Sequence, residues 1–133
     1  MAKYTAYDVA RQLNQIRNYH ELPVTALVEM PRDVLSAFLW VTAEWRQVRE
    51  MKELIQMGAN PHEEHNGFTV LEQLLQGHDG AWRCKSPLNI TGTEEGVKML
   101  FEHGVTRADL KHEWILSNCS EIITESAYMC DFF

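Results

Sequence analysis

The sequence predicts an all-α fold, built as a short, irregular stack of helix pairs in one domain over residues 1–133. Three observations lead there. Apolar residues recur at three- and four-residue steps through most of the chain, the spacing of one helix face. Helix stops and starts punctuate that pattern, with Gly58 and Gly104 as stops and Thr69 and Thr106 as starts. One helix-plus-stop pattern also occurs twice: EMKELIQMGA at 50–59 returns as GVKMLFEHGV at 96–105, an offset of 46 residues. Lys52, Leu54 and Gly58 match Lys98, Leu100 and Gly104 in it. A pattern that recurs needs one structural reason for both copies. The alternative is a helical bundle without repeats.

The first element is an amphipathic helix over YTAYDVARQLNQIRNY, with Ala6, Val9, Leu13 and Ile16 on one face and Thr5 or Asp8 at its start. Pro23 breaks it. Val24, Leu27 and Val28 suit a short helix, and Pro31 fits the first turn of the next. The run Val34 to Val41 is apolar on all sides and reads as a buried helix, since Pro31 and Asp33 are helix-start residues. A further helix is expected from Ala43 to Met57, ended by Gly58.

Residues 58–75 then hold a stop, a polar turn and a start. Asn60-Pro61 and Asn66-Gly67 are turn signals, and residues 60 to 65 are polar or Pro. Thr69 and Glu72 form a capping box, in which the hydroxyl takes a backbone N–H and the carboxylate reaches back. Leu71, Leu74 and Leu75 form the apolar face behind it. Residues 76–93 read as a loop, with a helix start at Thr91 or Thr93. Beyond Gly104, Leu110, Trp114 and Ile115 suit one helix. Cys119, Ile122 and Ile123 suit another, with a break near Ser117-Asn118. The aromatic C-terminal AYMCDFF is expected to pack back as a cap, because exposed Phe side chains reduce solubility.

Composition narrows the function. The chain is 45% hydrophobic and 23% charged, ordinary for a globular domain. Its formal net charge of −7 argues against direct nucleic-acid binding, which needs a basic face. Three cysteines without CxxC spacing, and no basic-then-apolar leader, suggest reduced thiols in the cytoplasm. No apolar run approaches a membrane span of about 18 residues.

The residues Leu54, Ile55, Gly58, Ala59 and Asn60, followed by Asn66, Gly67, Thr69 and Leu71, resemble the junction between two ankyrin repeats. In that family a helix ends in a Leu-rich pair before a Gly-Ala turn. A hairpin follows, and G-x-T-P-L-H opens the next helix. Here Gly67, Thr69 and Leu71 are kept, while Val70 and Glu72 stand for the Pro and the His. The 46-residue offset exceeds the 33 residues of a regular repeat, placing the excess in the 76–93 loop. The resemblance implies a divergent ankyrin-like stack that binds proteins through hairpin tips, first helices and loops. On this chain those positions are His62, Glu63, Glu64, His65, Asn66, Glu72 and Gln73, with Trp82, Arg83 and Lys85 in the loop.

The expected function is therefore a non-catalytic interaction module whose acidic finger seeks a basic face on a protein partner. A sharper form is an inhibitor of a host defence complex, as a phage or mobile element would carry. No cofactor is expected. A metal site on His62, His65, His78 and Cys84 is the weaker reading, since HxxH in a turn lacks helical i,i+4 pairing. A thiol enzyme using Cys84 or Cys119 lacks any accompanying motif. A homodimer buried at the C-terminal aromatic segment is a third alternative. Trp40, Trp45 and Trp114 fall on apolar faces and read as core. Trp82, beside Arg83 and Lys85, is either a hot-spot contact or a cover for its loop.

Overall fold

The computed structural model describes residues 5–26, 30–77 and 87–133, apart from the side chains of residues 87–89, 118 and 121. The fold is all-α with a single small hairpin among these residues. Helix α1 spans Ala6–Tyr19, followed by a 3-10 turn at Val24–Ala26. Then come α2 (Arg32–Glu44) and α3 (Val48–Gln56). A hairpin of β1 (Glu64–His65) and β2 (Phe68–Thr69) runs directly into α4 (Val70–Gln76). Helix α5 is Pro87–Glu102. A 3-10 turn at Arg107–Asp109 leads to α6 (Trp114–Asn118), α7 (Ser120–Thr124) and α8 (Ala127–Phe132). No helix among the described residues is long and apolar enough to cross a membrane.

Helix α1 starts as expected. Thr5 Oγ1 accepts from Asp8 N, and the Asp8 carboxylate accepts from Thr5 N in return. The Thr5 N–H and the Thr5 hydroxyl, both donating to its Oδ2, hold the Asp8 carboxyl below its usual range. Its buried face differs from the expected one. Ala10, Asn14 and Arg17 are buried, while Ile16 is exposed. The cause is Arg17, which turns inward. Its guanidinium donates to Leu22 O, Asn14 Oδ1, Asn18 Oδ1 and Gln47 Oε1. That polar hub rotates the helix and ties α1 to the turn between α2 and α3.

A continuous helix from Ala43 to Met57 does not form. Helix α2 ends at Glu44, Arg46 takes a left-handed φ of 52°, and α3 begins at Val48. The kink places Arg46 where its Nε and Nη2 donate to the carbonyls of Leu74 and Leu75, at 3.0 and 2.8 Å. These lie in the last turn of α4, whose carbonyls have no intrahelical donors. A cation there also complements the helix dipole. The same kink puts Trp45 on the surface, so it is not the core residue its spacing suggested. Trp40 is core, with its indole N–H donating to Phe68 O at 2.9 Å.

Helix α5 begins at Pro87, earlier than the Thr91 or Thr93 start, and both threonines lie inside it. Proline suits a first helical turn, where its missing N–H has no partner to lose. The helix crosses α4 closely. A Cβ on Gly96 would lie 2.6 Å from Leu74 Cδ2, so a larger residue there would push the Leu74 side chain aside.

Contacts between the helices form two rows. α2 packs on α4 and α4 on α6, while α3 packs on α5 and α5 on α7. Within each pair, α2 packs on α3, α4 on α5 and α6 on α7, and α1 covers α2. Each pair therefore buries its apolar face against the next. One core results, including Phe38, Leu39, Met51, Leu54, Leu71, Leu74, Leu100, Ile115 and Ile122. The C-terminal segment does pack back. Met129 is buried and the Phe132 ring meets Phe101 edge-on at 5.0 Å.

The repeated sequence gives repeated geometry. Gly58 N donates to Ile55 O and Ala59 N to Leu54 O, with φ +109° at Gly58. Gly104 N donates to Phe101 O and Val105 N to Leu100 O, with φ +92° at Gly104. Both are Schellman stops with a buried apolar residue just beyond the glycine.

Candidate functional site: the braced hairpin

The hairpin is as short as a ladder can be. Glu64 pairs with Thr69 and His65 with Phe68, across the Asn66-Gly67 turn. Asn66 and Gly67 have φ of 56° and 84°, the two positive values that a type I′ turn demands. Asn and Gly tolerate them, so the turn signal in the sequence has a direct physical meaning here.

Two strands this short hold no shape alone. Four contacts brace them. The His65 ring stacks on Tyr7 at 5.6 Å, and its Nε2 lies 2.8 Å from Glu63 Oε2. His62 Nδ1 lies 2.8 Å from Asp109 Oδ2. Lys111 Nζ donates to Glu64 Oε2 at 3.0 Å, which raises the Lys111 pKa. Burial raises the Tyr7 pKa, with Glu44 adding to it, while a side-chain bond from Asn66 opposes the shift. The segment from His62 to Asn66 is thus a pinned edge rather than a free finger. His62, Glu64, Asn66 and Gly67 face solvent; Glu63 and His65 are half-buried.

Glu72 and Gln73 are not surface contacts. Glu72 is 0% exposed, and Gln73 is buried as well. The reason is the capping box. Glu72 Oε1 accepts from Thr69 N at 3.0 Å. Oε2 accepts from the backbone N–H of Lys111 and His112, at 3.1 and 2.8 Å, and lies 2.7 Å from His112 Nδ1. Thr69 Oγ1 meanwhile donates to Asp109 O at 2.8 Å. Glu72 thus bolts the hairpin end to the following turn.

That bolt brings up residues which sequence spacing did not flag. Phe68, His112 and Trp114 form an aromatic cluster beside the hairpin, with ring centroids 5.1 to 6.0 Å apart. Trp114 is 46% exposed, so its assignment to the core is corrected. Arg107 makes a two-pronged pair with Glu113 at 3.0 and 3.1 Å, and this bond lowers the Glu113 pKa. Partners 39 to 47 residues apart leave no periodic trace in a sequence. The only available signal was the polar type of Asp109, Lys111 and His112.

Trp82, Arg83 and Lys85 lie outside the described residues, as do His78 and Cys84. His62 and His65 turn to different carboxylates, Asp109 and Glu63. Among the described residues, no group of three or more His, Cys, Asp or Glu could hold a metal. Burial pushes the Cys119 thiol up to about 11, opposite to the activation a nucleophilic cysteine needs. Cys130 is an exposed free thiol.

No family model, curated protein or solved structure matches the chain.

Proposed function

We propose that the chain is a non-catalytic protein-interaction module that docks a partner through the braced hairpin and the neighbouring aromatic cluster. The observation that carries this reading is the bracing itself. A two-residue ladder is held by side chains from α1, α2 and the 109–112 turn, leaving Glu64, Asn66 and Gly67 outward beside half-exposed Trp114. A preorganised surface loses little entropy on docking. A half-exposed Trp beside polar groups is the composition of a binding hot spot.

The two-row helix packing and the paired Schellman stops support a divergent ankyrin-like stack as its scaffold. The partner face is basic, in keeping with the net charge of −7. In its sharper form the module is an inhibitor that occupies the basic surface of a host defence complex. Loss of that complex's activity on addition of the protein separates an inhibitor from an adaptor.

The test is partner affinity after Glu63→Lys and Glu64→Lys combined. Weakening by about a hundredfold is expected from reversed charge at a docking edge. Unchanged affinity overturns the assignment of the hairpin.

A further inference from the structure

Five carboxylates lie on the hairpin, the first turn of α4 and the 107–113 turn, and each has a basic partner. The partners are of two kinds. Glu64 pairs with Lys111 at 3.0 Å, and Glu113 with Arg107 at 3.0 and 3.1 Å. Glu63, Asp109 and Glu72 pair with histidines instead. His65 Nε2 lies 2.8 Å from Glu63 Oε2, His62 Nδ1 2.8 Å from Asp109 Oδ2, and His112 Nδ1 2.7 Å from Glu72 Oε2. Among the described residues, no Lys or Arg pairs with these three carboxylates. The difference matters because histidine is the side chain that changes charge between about pH 5 and 8, while lysine, arginine and carboxylates titrate outside that interval. The Glu64 bond raises Lys111, and the Arg107–Glu113 bond raises the one and lowers the other, which moves all three further from it. Behind His65, burial raises the stacked Tyr7, which faces Asp8 and Arg11 from α1 and Glu44 from α2. With neutral rings, the edge therefore carries three carboxylates without a matching cation. With protonated rings, each is matched.

We propose that the hairpin is a pH-sensitive docking edge, which holds a basic segment of the partner near pH 8 and releases it on acidification towards pH 5.5. This rests on the protein-interaction reading and adds a regulation to that same surface. Glu64 and Glu113 are already matched by permanent cations, so the excess negative charge that draws a basic face comes from Glu63, Asp109 and Glu72. Protonation of His65, His62 and His112 puts a cation within hydrogen-bond distance of each. The His62 and His112 side chains are 49% and 37% exposed, so protons reach them without unfolding. Glu72 itself is buried, and it is the His112 ring that presents this pair to solvent. An approaching cationic segment then meets three added like charges in place of an anionic edge.

The test uses the full chain, isotope-labelled, titrated with N-acetylated octalysine amide at pH 8.0 and at pH 5.5, at one low ionic strength. Octalysine keeps its charge at both pH values. Saturable shifts at the backbone amides of Glu64 to Phe68 are expected at pH 8.0. At pH 5.5 binding is expected to weaken by about tenfold or more, from three like charges added near the contact. His62→Gln keeps a side-chain donor for Asp109, takes no charge, and alters a ring that is half in solvent. It should reduce the ratio between the two affinities by about twofold, and combined with His65→Gln it should bring that ratio to about threefold or less. Absence of saturable shifts at the hairpin at pH 8.0 rejects the docking surface and the pH response with it. Saturable shifts with equal affinity at both pH values reject the pH response alone. A ratio as large in both variants as in the parent chain also overturns it, by placing the response in charges elsewhere on the chain.

Discussion

The two joints of the stack begin identically and continue differently. Each follows a helix ending in the same pair of glycine-centred hydrogen bonds, at Gly58 and at Gly104. After Gly58 the chain makes a hairpin and a full capping box on Thr69 and Glu72. After Gly104 it makes only a 3-10 turn, whose Thr106 accepts from Ala108 N without a reciprocal acid. The second joint borrows its missing acceptor from the first, because Glu72 takes the N–H groups of Lys111 and His112. The helix stop is thus local and repeatable, while the helix start depends on a neighbour. The surface built around that borrowed contact is the one assigned to the partner.

Breaking the shared acceptor should have the largest effect. Glu72→Ala leaves the buried N–H of Thr69 and the part-buried N–H groups of Lys111 and His112 unpaired. At about 1 kcal/mol or more for each, a loss of roughly 3 kcal/mol or more is expected in urea unfolding. A loss below about 1 kcal/mol would mean that the two joints are independent.

Next is the far end of the second joint, where Cys119 closes α6. Burial raises its thiol from an ordinary 9.0 to about 11. A folded-state value above the unfolded one means that the unfolded chain loses its proton first. The contribution is full below pH 9 and falls as pH rises from 9 towards 11, by at most roughly 2–3 kcal/mol. Cys119→Ala should flatten that alkaline slope, as measured by unfolding across the range.

The stops themselves should respond alike. Gly58→Ala and Gly104→Ala meet no atoms within 4 Å, so only the positive φ is penalised. Each should cost about 1–2 kcal/mol. Unequal losses would show that one stop carries a role beyond its backbone. The starts should respond unequally, and least. Thr69→Val removes a buried cap and the bond to Asp109 O, at about 1 kcal/mol, whereas exposed Thr106→Val should cost a few tenths.

This contrast also explains what was legible in the sequence. Gly58, Gly104, the Asn66-Gly67 turn and the Thr69–Glu72 box act within a few residues, and residue type alone located them. The Arg46 kink was not legible, because its partners, Leu74 O and Leu75 O, lie 28 and 29 residues away. An inward-turned Arg17 defeated the periodicity of α1, because its polar acceptors on α1 and at Gln47 draw it inside where apolar spacing would put a hydrophobic residue. In the candidate site, the outward positions His62, Glu64 and Asn66 were readable from the polar turn. The burial of Glu72 and Gln73 was not, since a carboxylate enters a core only where distant N–H groups meet it. The exposure of Trp45 and Trp114 likewise follows from where short helices end, which apolar spacing alone did not reveal.

Whether the braced hairpin meets the partner is decided by hydrogen exchange of the chain, free and with its captured partner bound. Added protection is expected at the backbone amides of His62 to Phe68 and around Trp114, with the α7–α8 end unchanged. Protection confined to α7 and α8, with hairpin exchange untouched, would contradict it.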